Sequence, residues 1–287
     1  MKKFEFTGET MTTFFGKTLH RIRALTDIID AVGDVIVKAG QLGGWLEKEE
    51  NLSQDGNAWV CDDARVCDDA RVCDDARVCD DARVCDDARV CDDARVYGNA
   101  RVCDDARVYG NARVYGNARV CDDARVYGNA WVYGNARVYG NARVYGNARV
   151  YGNAWVYGNA WVCDDAWVCD DAVVKKPDHF LTVGPIGSRN DTTTFFRNAK
   201  GVIKVKCGCF LGTVDAFLEK VTSTHGDNKH AVSYRAAAAL ALAQVDTTVT
   251  DDEPPKKRSI GGVEFIQRVI DRVEIDTHNE QEEQNNA

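Results

Sequence analysis

A six-residue unit, written in two forms, dominates the chain and limits what it can fold into. The forms CDDARV and YGNARV follow one another without an insertion from about Ala58 to Val174. Val recurs every six residues from Val60 to Val174, and Ala recurs every six from Ala58 to Ala172, giving twenty hexads. A short fixed period of this kind predicts a solenoid, in which each unit packs only against its neighbours.

Each hexad contains a strand pattern and a turn pattern. Ala, Arg, Val and then Cys or Tyr alternate between small or apolar side chains and larger polar or polarisable ones, which predicts a short strand with Ala and Val facing inward. The remaining pair, Gly-Asn or Asp-Asp, consists of residues that tolerate positive φ at low cost. Each hexad is therefore predicted to form one strand and one corner.

The spacing of Val and of the Ala four positions later resembles the hexapeptide repeat of the LpxA-like acyltransferases. The resemblance implies a mainly β fold, a left-handed triangular parallel β-helix (β-solenoid) in which three hexads form one coil. Twenty hexads would then give between six and seven coils. At about 4.8 Å per stacked strand, the prism would be roughly 30 Å long.

If three hexads close a coil, residues 18 apart stack along the axis and form columns. One predicted column contains Cys67, Cys85, Cys103 and Cys121. Another contains Tyr97, Tyr115, Tyr133 and Tyr151, beside an Arg column of Arg77, Arg95 and Arg113. Neighbouring Tyr and Arg are expected to form cation–π contacts of about 0.5–1 kcal/mol. The stacked cysteines would lie within disulfide reach, although a reducing cytosol is expected to keep them as free thiols.

The repeat and the changes in composition around it divide the chain into four predicted segments. In order, these are an N-terminal β-rich cap, the hexapeptide-repeat β-helix, a small C-terminal α+β domain, and a linker with an amphipathic helix and a disordered tail. They span residues 1–57, 58–174, 175–246 and 247–287.

Large apolar side chains mark both ends of the repeat. Trp45 and Leu46 would cover the open apolar end of the first coil, which is the capping that solenoids need. Trp155, Trp161 and Trp167 replace Arg in three successive hexads. Two interpretations of these indoles stay open: they form a docking face for the C-terminal domain, or they reflect codon changes within the array.

After Pro177 the sequence predicts three strands and two helices. The strands are HFLTVGPIGS, TTTFFRN and VIKVKCGCFLG. Thr213 is predicted to N-cap a helix through VDAFLEKV, and a second helix follows through HAVSYRAAAALALAQV. Further on, VEFIQRVIDRVEI carries an apolar stripe formed by Ile266, Val269, Ile270 and Val273.

Composition and charge exclude several classes of protein. The net charge of −9 argues against a nucleic-acid binder, because neutralising phosphates needs an excess of Lys and Arg on one face. The start MKKFEFTGETM has no apolar run of signal-peptide length, and no stretch approaches the roughly 20 apolar residues of a membrane span. We therefore expect a cytoplasmic protein without a membrane partner.

The sequence offers three candidate chemical sites. An acyltransferase of the resembled class would use a His as general base, but the repeat contains none. The five histidines, all outside it, are His20, His179, His225, His230 and His278.

Two metal sites are also conceivable. Zinc could be held by Cys207, Cys209, His225 and His230, although the simpler interpretation is two small residues on one strand face and a polar turn, HGDN. The Asp-Asp corners could hold calcium, although the simpler interpretation is that Asp serves as a turn residue.

The flanks GGWLEKEENLSQDGNAWV and GPIGSRNDTTTFFR are similar to the ends of uncharacterised hexapeptide-repeat proteins of bacteria and their phages. The likeness implies an architecture and no activity. We therefore predict a non-enzymatic scaffold or binding protein of phage or prophage type, without catalytic residues, cofactor or metal, presenting Arg, Tyr and Trp ladders to a protein partner. An acyltransferase is the alternative, and the sequence leaves the partner and the oligomeric state open.

Overall fold

The structure is a computed structural model that describes residues 2–29 and 33–249. Strands dominate this part of the chain, with two helices near its end, as predicted for a mainly β protein. None of the described helices is long and apolar enough to cross a membrane. The predicted amphipathic stripe from Ile266 to Val273 lies outside the described residues.

The described residues before the repeat form five strands. They are β1 (Phe4–Thr12), β2 (Thr18–Ala24), β3 (Ile28–Ile29), β4 (Val35–Val37) and β5 (Leu42–Leu46). Strand β1 pairs antiparallel with β2, and β2 pairs antiparallel with β5. A short 3-10 helix, Glu49–Asn51, follows.

Each hexad then contributes a two-residue strand of an outward residue and an inward Val, so the twenty predicted strands are confirmed. In chain order they are β6 (Trp59–Val60), β7 (Arg65–Val66), β8 (Arg71–Val72), β9 (Arg77–Val78), β10 (Arg83–Val84), β11 (Arg89–Val90), β12 (Arg95–Val96), β13 (Arg101–Val102), β14 (Arg107–Val108), β15 (Arg113–Val114), β16 (Arg119–Val120), β17 (Arg125–Val126), β18 (Trp131–Val132), β19 (Arg137–Val138), β20 (Arg143–Val144), β21 (Arg149–Val150), β22 (Trp155–Val156), β23 (Trp161–Val162), β24 (Trp167–Val168) and β25 (Val173–Val174).

Every third strand stacks in register, so the solenoid has three parallel faces. Face 1 runs β5-β7-β10-β13-β16-β19-β22-β25, face 2 runs β8-β11-β14-β17-β20-β23, and face 3 runs β6-β9-β12-β15-β18-β21-β24. Arg83, for example, pairs with Arg65 on one side and Arg101 on the other. The 18-residue coil is therefore confirmed, whereas the left hand implied by the resemblance stays a prediction.

Ala and Val of the hexads fill the interior. None of these side chains from Ala58 to Val174 is more than 1% exposed, and together they form one continuous apolar cluster. The small Ala and branched Val alternate along the strand path, so three narrow faces can close around them. The inward orientation predicted for both residues is confirmed.

The corners depend on positive φ at the first residue of each Asp-Asp or Gly-Asn pair. Asp62 has a φ of 53° and Asp170 a φ of 60°, and Gly116 has a φ of 71°. Asp tolerates this left-handed region better than most residues that carry a Cβ. At Gly116 an added Cβ would also lie 3.1 Å from the backbone nitrogen of Gly134, one coil later. The two hexad forms therefore use different residues for the same backbone corner.

The N-terminal segment closes the solenoid differently from the prediction. Trp45 and Leu46 do not cover the end of the first coil; they pair in parallel with Arg65 and Val66 and so form part of a coil themselves. Their register fits because Leu46 takes the inward Val position and is fully buried, and Trp45 takes the outward Arg position. The apolar cluster is extended beyond them by Phe4, Ile22, Ala24, Ile28 and Val37.

A buried lysine also serves this end. Lys3 is 6% exposed, and its Nζ donates to the carbonyl oxygens of Ala58 at 2.9 Å and Gly56 at 3.3 Å. Burial lowers the pKa of Lys3 to about 8. The ammonium satisfies carbonyl groups that have no preceding coil to bond with, which is a requirement at the end of any sheet.

After the 3-10 helix Pro177–His179, the C-terminal part forms a four-stranded antiparallel sheet and two helices. The elements are β26 (Phe180–Ile186), β27 (Asp191–Arg197), β28 (Ile203–Cys207), β29 (Phe210–Thr213), α1 (Val214–His225) and α2 (Lys229–Gln244). The predicted third strand is in fact a hairpin, β28 and β29, because Gly208 has a φ of 53° and turns the chain.

Both predicted helices are confirmed. The Thr213 side chain accepts a hydrogen bond from the Ala216 N–H at 3.3 Å, so Thr213 is the predicted N-cap of α1. Asn228 caps α2 in the same way, accepting from the N–H groups of His230 and Ala231. Phe217 of α1 and Tyr234 of α2 pack edge to face over the sheet.

Candidate binding surface

An alternating row of cations and indole rings lies along the C-terminal half of face 3. Arg113 lies 4.9 Å from the Trp131 ring, and Arg149 lies 5.0 Å from the other side of that ring. Arg149 also lies 4.7 Å from the Trp167 ring, over which Lys206 of the C-terminal sheet lies at 4.9 Å. We call Arg113, Trp131, Arg149, Trp167 and Lys206 the Arg–Trp strip.

The strip arises because the hexads of face 3 place Trp and Arg at the outward strand position on successive coils. Cation–π contacts of this kind contribute about 0.5–1 kcal/mol each where they are solvent-accessible. All five residues are half-buried, so the strip lies at the surface of the solenoid. Trp131, Arg149 and Lys206 were not singled out in the sequence, although the change from ARV to AWV at Trp131 is visible there.

A column of stacked tyrosine rings borders the strip. Tyr97, Tyr115, Tyr133 and Tyr151 stack in parallel with ring centroids 4.8 to 4.9 Å apart. The predicted column is therefore confirmed, but its partners differ from the prediction. Tyr stacks on Tyr, because the coil spacing brings the rings of one column into face-to-face contact. The cation–π contacts of the described residues join Arg or Lys to Trp.

Amide ladders flank the same surface. Asn117 donates from its side chain to the side-chain oxygen of Asn135 at 3.1 Å, and Asn135 donates to Asn153 at 3.2 Å. On the opposite edge Asn129 donates to Asn147 at 3.1 Å.

The corners beside Arg113, Trp131 and Arg149 are all Gly-Asn pairs and contain no carboxylate. Within the described residues, neither Arg113 nor Arg149 forms an ion pair.

The Asp-rich coils nearer the N-terminus differ in charge. Residues 61–96 carry twelve Asp and six Arg, whereas residues 97–162 carry four Asp and eight Arg. On face 1, burial lowers the pKa of Arg83, and the neighbouring Arg65 lowers it further. The solenoid is therefore acidic over residues 61–96 and basic over residues 97–162, which contain most of the strip.

The Asp-Asp corners have a structural role in the described chain. The first Asp of a corner accepts a hydrogen bond from the backbone N–H one coil later, for example Asp86 from Asp104 at 3.3 Å and Asp104 from Asp122 at 3.2 Å. Asp62 accepts from Asp80 in the same way at 3.3 Å. The predicted stacking of these corners is confirmed, and the turn interpretation accounts for their conformation. Calcium binding stays an untested hypothesis.

The cysteine columns lie where the 18-residue spacing predicts. Three pairs are disulfide-bonded, contrary to the expectation of free thiols, and their Cα atoms are 4.7 or 4.8 Å apart. The pairs are Cys61–Cys79, Cys73–Cys91 and Cys103–Cys121. Cys67 and Cys85 stay free. Strand stacking alone brings these sulfur atoms together, because each column places one Cys above another.

The proposed zinc ligands do not form a site. Cys207 ends β28 and Cys209 lies in the following turn, so they are not alternate residues on one strand face as predicted. The rings of His225 and His230 are 5.9 Å apart at the ends of the two helices. Among the described residues, no three of these four bring ligand atoms within 4.8 Å of one another. The polar turn predicted from HGDN is present between α1 and α2.

The other histidines have local contacts. His20 packs against Phe6 with ring centroids 4.9 Å apart. His179 is 2% exposed, and its Nδ1 accepts from the Lys175 N–H at 3.0 Å. Burial, with Arg197 nearby, lowers the pKa of His179 to about 4, so this imidazole is neutral at pH 7. His278 lies outside the described residues.

Among the described residues, Trp167 is the one of the three indole residues considered for docking that forms a hydrogen bond or cation–π contact with the C-terminal domain. The backbone N–H of Trp167 donates to Thr194 Oγ1 at 3.0 Å, and Lys206 lies over the Trp167 ring. Trp155 lies 4.5 Å from Arg137, and Trp161 lies 4.9 Å from Arg143 and is 47% exposed. The docking interpretation therefore holds for Trp167, while the other two extend Arg columns on faces 1 and 2.

The repeats match a family model described as the YdcK Beta solenoid repeat. The matched segments are residues 88–104, 106–122, 118–134, 130–146, 136–152, 142–158 and 148–164. No curated protein sequence matches the chain. With about seven parallel coils in the structure, the match defines the chain as a β-solenoid repeat protein. The matched description names a repeat architecture and no activity.

Proposed function

We propose that the chain is a non-enzymatic β-solenoid scaffold of phage or prophage type that presents the Arg–Trp strip to an acidic segment of a protein partner. The carrying observation is the strip itself: Arg149 lies between two indole rings and Arg113 lies over one, and the Gly-Asn corners on either side of these two residues contain no carboxylate. The lack of His in all twenty hexads supports a non-enzymatic role.

Charge complementarity favours an acidic partner. A guanidinium that has no carboxylate beside it can form a charge-assisted hydrogen bond with a carboxylate of another molecule. The flanking Asn ladders can donate to backbone carbonyls of an extended chain, and indole edges can contact apolar side chains. Interfaces are enriched in Arg, Trp and Tyr for the same reasons.

The spacing of the cations favours one conformation of that partner. Arg113 and Arg149 lie two coils apart, which is about 9.6 Å at about 4.8 Å per coil. A polyproline II helix advances about 3.1 Å per residue, so every third side chain on one side recurs after about 9.3 Å. An acidic residue at every third position of such a segment would therefore face each cation in turn, with proline rings over the indoles between them.

Two peptides of the same composition test the proposal. One has Glu at every third position separated by Pro-Pro, and the other has the same residues arranged as one Glu block and one Pro block. We expect saturable binding of the periodic peptide, several-fold tighter than that of the block peptide. Equal binding would show only general attraction between charges. Tighter binding of a single-stranded oligonucleotide than of the periodic peptide would also contradict the proposal.

A further inference from the structure

Cysteine and aspartate meet at the corners of the acidic coils in a way that the scaffold function does not use. All ten cysteines of the repeat are followed by Asp-Asp, and Tyr is followed by Gly-Asn. The structure gives this pairing a contact: Cys85 Sγ lies 3.2 Å from Asp86 Oδ2, and Cys163 Sγ lies 3.2 Å from Asp164 Oδ2. A thiol and the carboxylate that follows it therefore converge on one point.

Three corners bring two sulfur atoms and one carboxylate oxygen together. In each, the ligand atoms all lie within 4.8 Å of one another. The sets are Cys61, Asp62 and Cys79; Cys73, Asp74 and Cys91; and Cys103, Asp104 and Cys121. The two sulfurs of each set are joined as a disulfide in the described structure, so reduction would leave two thiols beside a carboxylate.

The carboxylates of these corners are held in place. Asp104 Oδ2 accepts from the Asp122 N–H at 3.2 Å, and Asp74 Oδ2 accepts from the Asp92 N–H at 3.2 Å. One oxygen of each of these carboxylates is therefore held in place by the next coil. Hydrogen bonds of this kind orient the ligands of metal sites.

A cation already occupies a related position at the start of the solenoid. Glu47, Cys67 and Asp68 form a fourth set with ligand atoms within 4.8 Å. The ammonium of Lys17 lies 3.8 Å from Glu47 and contacts Asp68. Positive charge is therefore stabilised beside a corner with one thiol and two carboxylates. Among the described residues, no lysine forms an ion pair with Asp62, Asp74 or Asp104 of the three Cys–Asp–Cys sets.

We infer that the three Cys–Asp–Cys corners, when reduced, each bind a zinc-class divalent cation. Two thiolates and one carboxylate supply three ligands of a tetrahedral site, and water can supply the fourth. Each binding event releases two thiol protons, because the metal binds thiolate. A phosphine serves as the reductant in the test: it gives two electrons to each disulfide and takes the oxygen of one water to become a phosphine oxide, and the two protons of that water leave two thiols. The disulfide and the metal use the same sulfur atoms, so the two states exclude each other.

The test uses the full chain, with Cd²⁺ as the probe because its thiolate complexes absorb in the ultraviolet. Phosphine-reduced protein is expected to bind three more Cd²⁺ ions than oxidised protein, one for each corner. Cys103→Ser with Cys121→Ser should remove one of these ions. Cys163→Ser is the matched control, because Tyr145 and not a second cysteine lies one coil before Cys163.

Asp104→Asn gives a second readout that leaves both thiols in place. It should weaken the binding of one ion while the fold, followed by circular dichroism, is retained, since Asn also tolerates positive φ. Equal Cd²⁺ binding by reduced and oxidised protein would overturn the inference. Equal losses in the Cys103/Cys121 variant and the Cys163 variant would overturn it as well, because the ions would then follow the number of thiols and not the corners.

Discussion

The backbone N–H of Gly98 donates to Oδ2 of Asp80, one coil earlier, at 2.8 Å. The equivalent bonds from Gly110 to Asp92 and from Gly140 to Asp122 are both 2.9 Å long. Where Asp follows Asp, the distance is 3.2 to 3.4 Å. The Gly of a Gly-Asn corner thus approaches the carboxylate of the preceding coil more closely than Asp does, because Gly has no Cβ. Asp-Asp corners therefore stabilise the coil that follows as well as their own turn.

The first prediction concerns this bond. Asp80→Ala should lower the free energy of unfolding by about 1–2 kcal/mol, since it removes a charged acceptor and leaves a Cβ residue at positive φ. Asp80→Asn should cost less, because Asn keeps the acceptor and tolerates that φ. Denaturant unfolding measures both. Asp81→Ala is the control, since Asp81 is exposed and has ordinary φ. A loss at Asp81 as large as that at Asp80 would contradict the account.

The second prediction concerns His179, whose pKa is lowered to about 4 chiefly by burial. The unfolded chain binds a proton below about pH 6.5, whereas the folded chain does so only near pH 4, so stability falls as pH decreases through this window. Between pH 7 and 5 the loss from this group should be about 2 kcal/mol. His179→Gln should lack that portion of the pH dependence. An identical pH dependence of unfolding in both proteins would be evidence against it.

The third prediction concerns the stacked tyrosines. Burial, followed by the neighbouring Tyr133 and Tyr97, raises the pKa of Tyr115 to about 12. The folded state holds this proton more tightly than the unfolded state, so the stabilisation is complete below about pH 10 and is lost as pH rises through 12. Phenolate absorbance should show Tyr115 titrating late, and Tyr133→Phe should shift its midpoint towards 10. A Tyr115 midpoint at the ordinary value would contradict this prediction.

The fourth prediction concerns the coupling within the Arg–Trp strip. A double-mutant cycle of Arg113→Ala and Trp131→Ala should give a coupling of about 0.5–1 kcal/mol, because the guanidinium lies 4.9 Å from the ring. Arg113 paired with Trp161, which lies on another face, is the control and should give no coupling. Additive losses for Arg113 and Trp131 would show that they do not interact.

The solenoid could be predicted from the sequence because its period is short and unbroken. A repeat of six residues with Val at one position and Ala four residues later determines which side chains face inward, and three hexads per coil then determine every column. The Tyr97 and Cys67 columns follow from this register alone. The pairing of Arg113 with Trp131 does not, because it depends on side-chain direction within the outward row and not on the backbone register.

The flanks were harder to predict because no repeat determines their register. Leu46 lies 20 residues before Val66 and yet pairs with it, so the 18-residue rule fails at the first coil. Gly208 converts one predicted strand into a hairpin, which separates Cys207 from Cys209. Lys206 joins the strip through a contact between segments remote in sequence, and no local pattern indicates such a contact.

The most direct test of the proposed binding function compares two Arg pairs in calorimetric titrations with the periodic acidic peptide. Arg113→Gln with Arg149→Gln should weaken binding by about 1–2 kcal/mol, or roughly five- to thirtyfold, because two ion pairs are lost. Arg71→Gln with Arg89→Gln removes two exposed Arg residues that lie between Asp-Asp corners and should leave the affinity unchanged. Equal weakening by both pairs, or no change from either, would contradict a binding function centred on the Arg–Trp strip.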